Sequence, residues 1–280
     1  MDVLRYAAFT TDPAGGNPAG IVLDAVDASA GEMLAVAADV GYAETAFVVD
    51  TAHGAERRFG LRYFSPHAEV PFCGHATVAT AVALAERHGA GPFTFQTPVG
   101  LVALETHLTD GVATASFTSV EPAVEELPDA TLREVLDLLG LRRADLDADH
   151  PPRLAAAGNP HPVLVLRDGP TFDGFRFDPA RARQVLDAHG WPATVSVLHR
   201  REPGVFEARN LFPVGGITED PATGSAAAAF GGYLRELRLV DPPARVTILQ
   251  GRHVGRPGVL TVDVPATGGI VVTGSAVPIA

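Results

Sequence analysis

Two long segments of the chain are apolar or small on every side until they meet charged residues near their ends, and each follows a glycine-containing motif. The first runs from His75 to His88, and the second from Ser225 to Val240. A helix without a polar face has to be buried all round. The pattern therefore predicts two central helices, each wrapped by other elements.

Shorter β-branched runs around these segments predict strands, and three further stretches predict surface helices. Ser29 and Glu32 form the ends of a capping box, and Asp178 precedes Pro179 in the manner of an N-cap followed by a first-turn proline. Apolar residues spaced between 132 and 139 indicate a short amphipathic helix. Helical patterns are nevertheless few compared with strand patterns.

The same order of motifs occurs twice along the chain. Gly16-Asn17-Pro18 returns 142 residues later as Gly158-Asn159-Pro160, and Gly74-His75-Ala76 returns 150 residues later as Gly224-Ser225-Ala226. Three further matches relate 41–49 to 190–198, 59–66 to 206–213, and Gln96 with 100–104 to Gln250 with 258–262. Such self-similarity indicates two homologous lobes.

These constraints predict an α+β fold of two pseudo-symmetric lobes. Each lobe is expected to be a curved, mostly antiparallel sheet or barrel wrapped around one central helix. The N-terminal lobe is expected at 1–120, completed by a last strand at about 270–280, and the C-terminal lobe at 129–268, with 121–128 as a linker. A doubly wound sheet is the alternative, but it needs a helix between most strands.

Composition excludes several kinds of chemistry. All 21 basic residues are arginines, so no lysine is present to form a Schiff base or to complete a phosphate loop. The net charge of −12 opposes binding to a phosphate backbone, so no nucleic-acid partner is expected. Cys73 is the single cysteine, which excludes a disulfide framework and agrees with a reducing compartment.

The remaining pattern predicts a cytoplasmic protein with no membrane contact. The first residues lack the cationic flank and apolar stretch of a signal peptide. No apolar run approaches the roughly 20 residues that span a bilayer.

The two buried helix starts suggest where a ligand binds. A helix start leaves its first N–H groups unpaired and carries partial positive charge, so it favours an anion. The starts lie at Gly74-His75-Ala76 and at Thr223-Gly224-Ser225. We expect both to face one cleft between the lobes and, with the Ser225 hydroxyl, to hold a small carboxylate-bearing substrate. The structural alternative is that these glycines only make turns.

Positions that differ between the two copies point to chemistry that the shared fold does not need. Glu44 aligns with Ala193, and His75 aligns with Ser225. A glutamate at the start of an apolar strand is usually just exposed, but inside a cleft its pKa would be raised and it could move a proton. His75 can titrate near neutrality, which makes it a second candidate.

Asp220 and Cys73 also have no equivalent side chain at the aligned position of the other copy. Asp220 is placed by the alignment in a three-residue insertion of the second copy, where it could equally be a turn residue. Cys73 aligns with Thr223 and could be a base or a buried, inert thiol. A metal site is not expected, because the spacing does not suit zinc in the nearest set of ligands, His67, Glu69, Cys73 and His75.

Five motifs together resemble the PhzF-like phenazine-biosynthesis isomerase family, and the resemblance covers nearly the whole chain. The motifs are Phe9 with Gly16-Asn17-Pro18, Glu44-Thr45-Ala46-Phe47, Arg62-Tyr63-Phe64-Ser65-Pro66, Cys73-Gly74-His75-Ala76-Thr77, and Glu219-Asp220-Pro221-Ala222-Thr223-Gly224-Ser225-Ala226. The resemblance implies the diaminopimelate-epimerase fold, a homodimer and an isomerase that needs no cofactor.

Roles for individual residues follow from that resemblance. It implies that Glu44 is the acid and base, and that His75, Asp220 and Ser225 contact the substrate. His75 and Asp220 would orient an amine or hydroxyl group and stabilise developing charge. The set expected to line the substrate is Asn17, Cys73, Gly74, Ala76, Thr223, Gly224 and Ser225.

The leading hypothesis is therefore a cofactor-independent isomerase that moves a proton on a small unsaturated or amino-carboxylic acid. One alternative is a racemase or epimerase in which Cys73 and a carboxylate act from opposite faces. With a single cysteine, the chain lacks the second thiol of the two-cysteine racemases. The other alternative is a protein that binds a small acid without turning it over.

Overall fold

The computed structural model describes residues 1–53 and 56–280. These residues divide into two compact units. The N-terminal unit contains residues 1–118 and 273–280, and the C-terminal unit contains residues 119–272. Within the described residues, no helix has the length and apolarity needed to cross a membrane.

In chain order the strands are β1 (Leu4–Ala8), β2 (Asn17–Val22), β3 (Glu44–Asp50), β4 (Arg58–Phe64), β5 (Glu69–Val70), β6 (Gly91–Thr97), β7 (Gly100–Thr109), β8 (Val112–Thr118), β9 (Ala123–Glu126), β10 (Arg153–Ala156), β11 (Pro160–Leu166), β12 (Val195–Glu202), β13 (Val205–Leu211), β14 (Glu219–Asp220), β15 (Ala244–Gln250), β16 (Gly258–Val264) and β17 (Val271–Pro278). The α-helices are α1 (Ala30–Val40), α2 (Gly74–His88), α3 (Asp129–Leu139), α4 (Gly169–Gly174), α5 (Pro179–His189) and α6 (Gly224–Glu236).

The N-terminal unit is a closed barrel around α2. Its strands pair in the cyclic order β1, β2, β3, β4, β6, β7, β8, β17 and back to β1, with parallel pairs at β2–β3 and β4–β6. Every residue of α2 from His75 to Ala85 is buried. The predicted central helix is confirmed, and its lack of a polar face is explained by strands on all sides.

The C-terminal unit repeats this arrangement around α6. Its strands pair in the order β9, β10, β11, β12, β13, β15, β16, again with two parallel pairs. A Cβ added to Gly231 would lie 2.7 Å from Ile270, and one added to Gly232 would lie 2.4 Å from Pro122. The glycine pair therefore allows neighbouring segments to approach the helix closely, so the predicted α+β fold is confirmed in both units.

Two predicted boundaries differ from the structure. The helix expected to reach Val240 ends at Glu236, because Arg238 takes a left-handed conformation (φ 55°) and Leu239 N–H bonds back to the Leu234 carbonyl. The expected linker at 121–128 contains β9, which pairs antiparallel with β10 and so belongs to the sheet of the C-terminal unit.

The surface helices start where their caps predict. Ser29 and Glu32 make the complete capping box of α1, and the Asp178 side chain accepts from the Ala180 N–H at the start of α5. The apolar residues of α3 pack into a core of the C-terminal unit.

Strand register corrects the alignment of the two copies by one residue. Phe47 pairs with Arg62 in the first copy, and Val197 pairs with Arg209 in the second. Counting back along β3 and β12, the counterpart of Glu44 is Thr194 and not Ala193. A one-residue slip matters because it exchanges the two faces of a strand.

The same comparison shows that Asp220 is not one of the inserted residues, contrary to the alignment. Val70 on β5 and Asp220 on β14 occupy equivalent positions, since each pairs one residue before the end of the preceding long strand. The extra residues lie earlier, where the loop 212–218 replaces the shorter loop 65–68. Asp220 is therefore an aspartate placed on a strand where the first copy has valine.

Candidate active site

Four predicted site residues converge in the N-terminal unit. Glu44 is the first residue of β3, and Cys73 is the N-cap of α2. The Cys73 thiol donates toward Oε2 of Glu44 at 3.6 Å, and Nε2 of His75 lies 3.5 Å from the same oxygen. Nδ2 of Asn17 lies 3.1 Å from Nδ1 of His75. The carboxylate, thiol, imidazole and amide thus form one contiguous group.

Burial decides the charge of His75. Desolvation lowers the pKa of its imidazole to about 3, so the ring is neutral at pH 7. Its contact with Glu44 is consequently that of a neutral ring beside a carboxylate and not an ion pair. The Glu44 side chain retains 12% of its exposure, so it is not completely sealed from solvent.

Glu44, Cys73 and His75 are also the kind of side chains that bind metal ions, and their ligand atoms all lie within 4.8 Å of one another. The Cys73 sulfur lies 3.3 Å from Nδ1 and 3.7 Å from Nε2 of His75. Near-equal distances place the sulfur beside the ring, out of line with either nitrogen's lone pair. The ring would have to turn before it could share a metal with the thiol.

His67 and Glu69 are the other two metal ligands considered from sequence, and neither lies beside Cys73 and His75. Glu69 is bound by Arg62 through two hydrogen bonds of 2.7 and 2.6 Å. The backbone N–H of His67 bonds the Ser65 hydroxyl in an exposed loop. The expectation that the protein carries no metal stays a prediction.

In the C-terminal unit, Asp220 lies in a buried hydrogen-bond network. Its carboxylate accepts from the Thr223 hydroxyl at 2.6 Å. Nε2 of Gln250 donates to the Asp220 carbonyl at 2.7 Å and to Thr223 Oγ1 at 2.9 Å, while its Oε1 accepts from Thr223 N–H and from Nδ2 of Asn210. Gln250 therefore fixes the segment that leads into α6.

A glycine beside Gln250 allows this close contact. Gly251 has a left-handed φ of 91°, and a Cβ there would lie 2.5 Å from the Pro221 carbonyl oxygen and 2.2 Å from that of Arg256. The backbone after β15 is thus packed directly against the backbone between Asp220 and Thr223. This packing makes the position of Asp220 dependent on the end of β15.

Ser225 contacts His161 and is not part of the hydrogen-bond network around Gln250 described above. Its hydroxyl oxygen lies 3.2 Å from Nε2 of His161, and Nδ1 of His161 lies 2.9 Å from Oγ1 and 3.2 Å from the carbonyl oxygen of Thr194. His161 is fully buried, whereas Ser225 is partly exposed. A ligand at the start of α6 can therefore contact Ser225 directly.

Both helix starts have the form expected for an anion site. Cys73 and Thr223, the N-caps of α2 and α6, make no side-chain capping bond to their helices, and neither first turn carries an acidic residue. Gly74 and Ala76 lie in the first turn of α2, and Gly224 in that of α6. That one ligand meets both starts stays a prediction.

Three residues of these networks were missed from sequence: His161, Thr194 and Gln250. His161 stands where the first copy has Ala19, because both follow the repeated Gly-Asn-Pro motif by one residue. That asymmetry was visible in the repeat. Thr194 was hidden by the one-residue misalignment, and Gln250 was matched to Gln96, although register equates it with Thr97.

Comparison with known proteins shows the family of the chain. Residues 6–280 match the PhzC-PhzF family, described as phenazine biosynthesis-like protein. A Deinococcus radiodurans protein named as an isomerase is 35% identical over 273 residues, covering 94% of this chain and 87% of the relative. The trans-2,3-dihydro-3-hydroxyanthranilate isomerase of Pseudomonas aeruginosa is 27% identical over 268 residues, covering 89% and 85%.

The fold has been seen in crystals of similar chains. A PhzF-family phenazine biosynthesis protein from Bacillus anthracis superposes with a TM-score of 0.87 at 26% identity, covering 100% of this chain and 98% of the other. Fold and relatives together define an isomerase with a diaminopimelate-epimerase-like architecture. The chain belongs to the phenazine biosynthesis-like (PhzC-PhzF) family.

Proposed function

We propose that the protein isomerises a small unsaturated or amino-carboxylic acid by moving a proton through Glu44, without a cofactor. The observation that carries the proposal is the position of the Glu44 carboxylate. It is mostly buried but not completely sealed from solvent, and it contacts the neutral imidazole of His75 and the thiol of Cys73. A carboxylate in such surroundings suits general acid–base catalysis.

In the proposed reaction, the Glu44 carboxylate removes a proton from a carbon next to an unsaturated system. The same group, now protonated, returns the proton to another carbon of that system. His75 faces the carboxylate with Nε2, which carries the ring proton if Asn17 donates its amide N–H to Nδ1. His75 would then hold one carboxylate oxygen while the other meets the substrate.

The proposal assigns the rest of such a substrate to Asp220 and to the starts of the two central helices. Asp220 would orient an amine or hydroxyl group, and the N–H groups at the starts of α2 and α6 would bind a carboxylate. The Pseudomonas aeruginosa relative is named for a substrate with a carboxylate, an amine and a hydroxyl group. A compound of that class is the first to test.

The test is conversion of trans-2,3-dihydro-3-hydroxyanthranilate, followed by a panel of amino- and hydroxy-carboxylates, in D₂O. Proton transfer through Glu44 predicts solvent deuterium at carbon in the product, because a carboxyl proton exchanges with water. Isomerisation without label would point to an internal hydrogen shift and would overturn the proposed role. NMR or mass spectrometry of the product reads the result.

A racemase or epimerase that uses Cys73 is the second candidate, favoured by the contact of its thiol with the Glu44 carboxylate, which could take up the thiol proton. The Cys73 sulfur lies 3.6 Å from Oε2 of Glu44, so the carboxylate that this alternative needs on the opposite face of the carbon cannot be Glu44. Cys73→Ala separates the candidates. Near wild-type turnover supports the Glu44 mechanism, whereas loss of turnover with intact binding supports the thiol.

Cytoplasmic location, which rests on the sequence pattern, and assembly as a homodimer, which rests on the family, are part of the proposal. Light scattering of the purified protein should give twice the 29.2 kDa of one chain. A measured mass of one chain at micromolar protein concentration would contradict the proposed homodimer.

A further inference from the structure

A continuous hydrogen-bonded chain links strand β12 to the first turn of α6. It runs from Thr194 through the imidazole of His161 to the hydroxyl of Ser225, with contacts of 2.9 and 3.2 Å. Thr194 is 1% exposed and His161 is completely buried. Both nitrogens of the buried ring therefore have partners within the protein, as buried polar groups generally do.

The Thr194 carbonyl determines which nitrogen carries the proton. That oxygen lies 3.2 Å from Nδ1 and can only accept a hydrogen bond, whereas Oγ1 of Thr194 at 2.9 Å can accept as well as donate, so we assign the ring proton to Nδ1. Burial lowers the pKa of His161 to about 4, so the ring is neutral at pH 7 and Nε2 carries no proton. Nε2 is consequently an acceptor, and the hydroxyl of Ser225 is the donor that meets it.

This arrangement reverses the expected role of Ser225. Its single hydroxyl hydrogen is directed to His161, which leaves only oxygen lone pairs for a ligand. We propose that Ser225, oriented by His161, recognises a hydrogen-bond donor of the substrate, an amino or hydroxyl group, and does not bind its carboxylate. The inference rests on the proposed function, since it describes the substrate of the same site.

The fold alone does not require the arrangement. The first copy has Ala19 at the position of His161, Glu44 at that of Thr194 and His75 at that of Ser225, yet its barrel closes around α2 in the same way. At this strand position, next to the start of the central helix, a buried imidazole is therefore present only in the copy whose helix carries serine as its second residue. In this chain His161 is a positioning residue that sets the hydrogen-bonding sense of Ser225.

The direct test is nitrogen NMR of uniformly ¹⁵N-labelled wild-type protein at pH 7, with His161→Gln used to assign the ring. The inference predicts a neutral ring protonated at Nδ1, with Nε2 showing the shift of an unprotonated acceptor nitrogen. A ring protonated at Nε2, or at both nitrogens, would overturn it.

A binding test uses anthranilate and benzoate, which share a carboxylate but differ in one amino group. Calorimetry of the wild-type protein should show anthranilate bound about threefold to tenfold more tightly, the contribution of one hydrogen bond. Ser225→Ala should remove that preference and leave benzoate binding unchanged. A preference that survives the substitution, or a loss of affinity confined to benzoate, would overturn the inference.

The two tests keep this inference separate from the proposed reaction, because neither requires turnover. If neither probe binds, or if Ser225→Ala does not fold, the ring spectrum of the wild-type protein alone decides. A protein that passes both tests but puts no deuterium into any product would retain this inference and lose the Glu44 mechanism.

Discussion

Oε2 of Glu44 lies 3.5 Å from Nε2 of His75, yet the two side chains do not form an ion pair at neutral pH. Burial lowers the pKa of His75 to about 3, so the imidazole is uncharged beside the carboxylate. A neutral partner leaves Glu44 free to take up a proton, which a permanent cation at the same place would oppose.

Neutral buried histidines make stability depend on pH. His75 and His161 have pKa values lowered by burial to about 3 and about 4, against about 6.5 in an unfolded chain. Below pH 6.5 the unfolded state binds protons that the native state does not, so stability falls as pH decreases from 6.5 toward 4. Each ring should contribute up to about 1.4 kcal/mol per pH unit in that range.

Urea unfolding at several pH values measures this effect. His161→Gln should reduce the slope of the unfolding free energy against pH by about one proton. The control His107→Gln, at an exposed position of β7, should leave the slope unchanged. Equal slopes for wild-type protein and His161→Gln would contradict the assignment of a buried neutral ring.

The repeat also supplies a matched pair of salt bridges. Arg209 and Glu219 are 5% and 9% exposed, whereas Arg62 and Glu69 at the equivalent positions are 31% and 37% exposed. Arg209→Met should destabilise the protein by about 3–5 kcal/mol, because a buried carboxylate loses its partner. Arg62→Met should cost under about 1 kcal/mol.

Chemical denaturation of the two variants decides this prediction. Arg209 also donates to the carbonyls of Phe172 and Phe175 and stacks 3.7 Å from the Phe175 ring centre, which increases the cost of its removal. If the two substitutions lowered the free energy of unfolding by similar amounts, the difference in burial would not determine the contribution of these salt bridges to stability.

We expect Gln250 to contribute to both stability and turnover, which the sequence alone does not indicate. Gln250→Met removes four buried hydrogen bonds around Asp220 and Thr223, and should destabilise the protein by about 2–4 kcal/mol and lower turnover. The matched control Gln96→Met, at an exposed position of β6, should change neither stability nor turnover. Thermal unfolding and steady-state kinetics read both variants, and an unaffected Gln250→Met would rule out its role in holding Asp220.

Patterns that depend on average polarity could be predicted from the sequence. The absence of a polar face in α2 and α6 indicated central helices, and the capping residues placed α1 and α5 correctly. The convergence of Glu44, His75, Cys73 and Asn17 also agrees with their selection as site residues.

Register could not be predicted in the same way. Neighbouring positions on a strand face opposite sides, so matching letters between the copies put Ala193 in the place of Thr194. Without that correction the sequence does not indicate the hydrogen bonds that link Thr194 through His161 to Ser225. Hydrogen bonds such as those of Gln250 connect distant segments and leave no periodic trace in the sequence.

The central claim is that Glu44 transfers the proton, and turnover of Glu44→Gln tests it most directly. The amide keeps the shape of the side chain but cannot accept a proton, so turnover should fall by about 10²–10⁴-fold while the dissociation constant of the substrate changes little. Turnover close to that of the wild-type protein, with folding intact, would contradict the account.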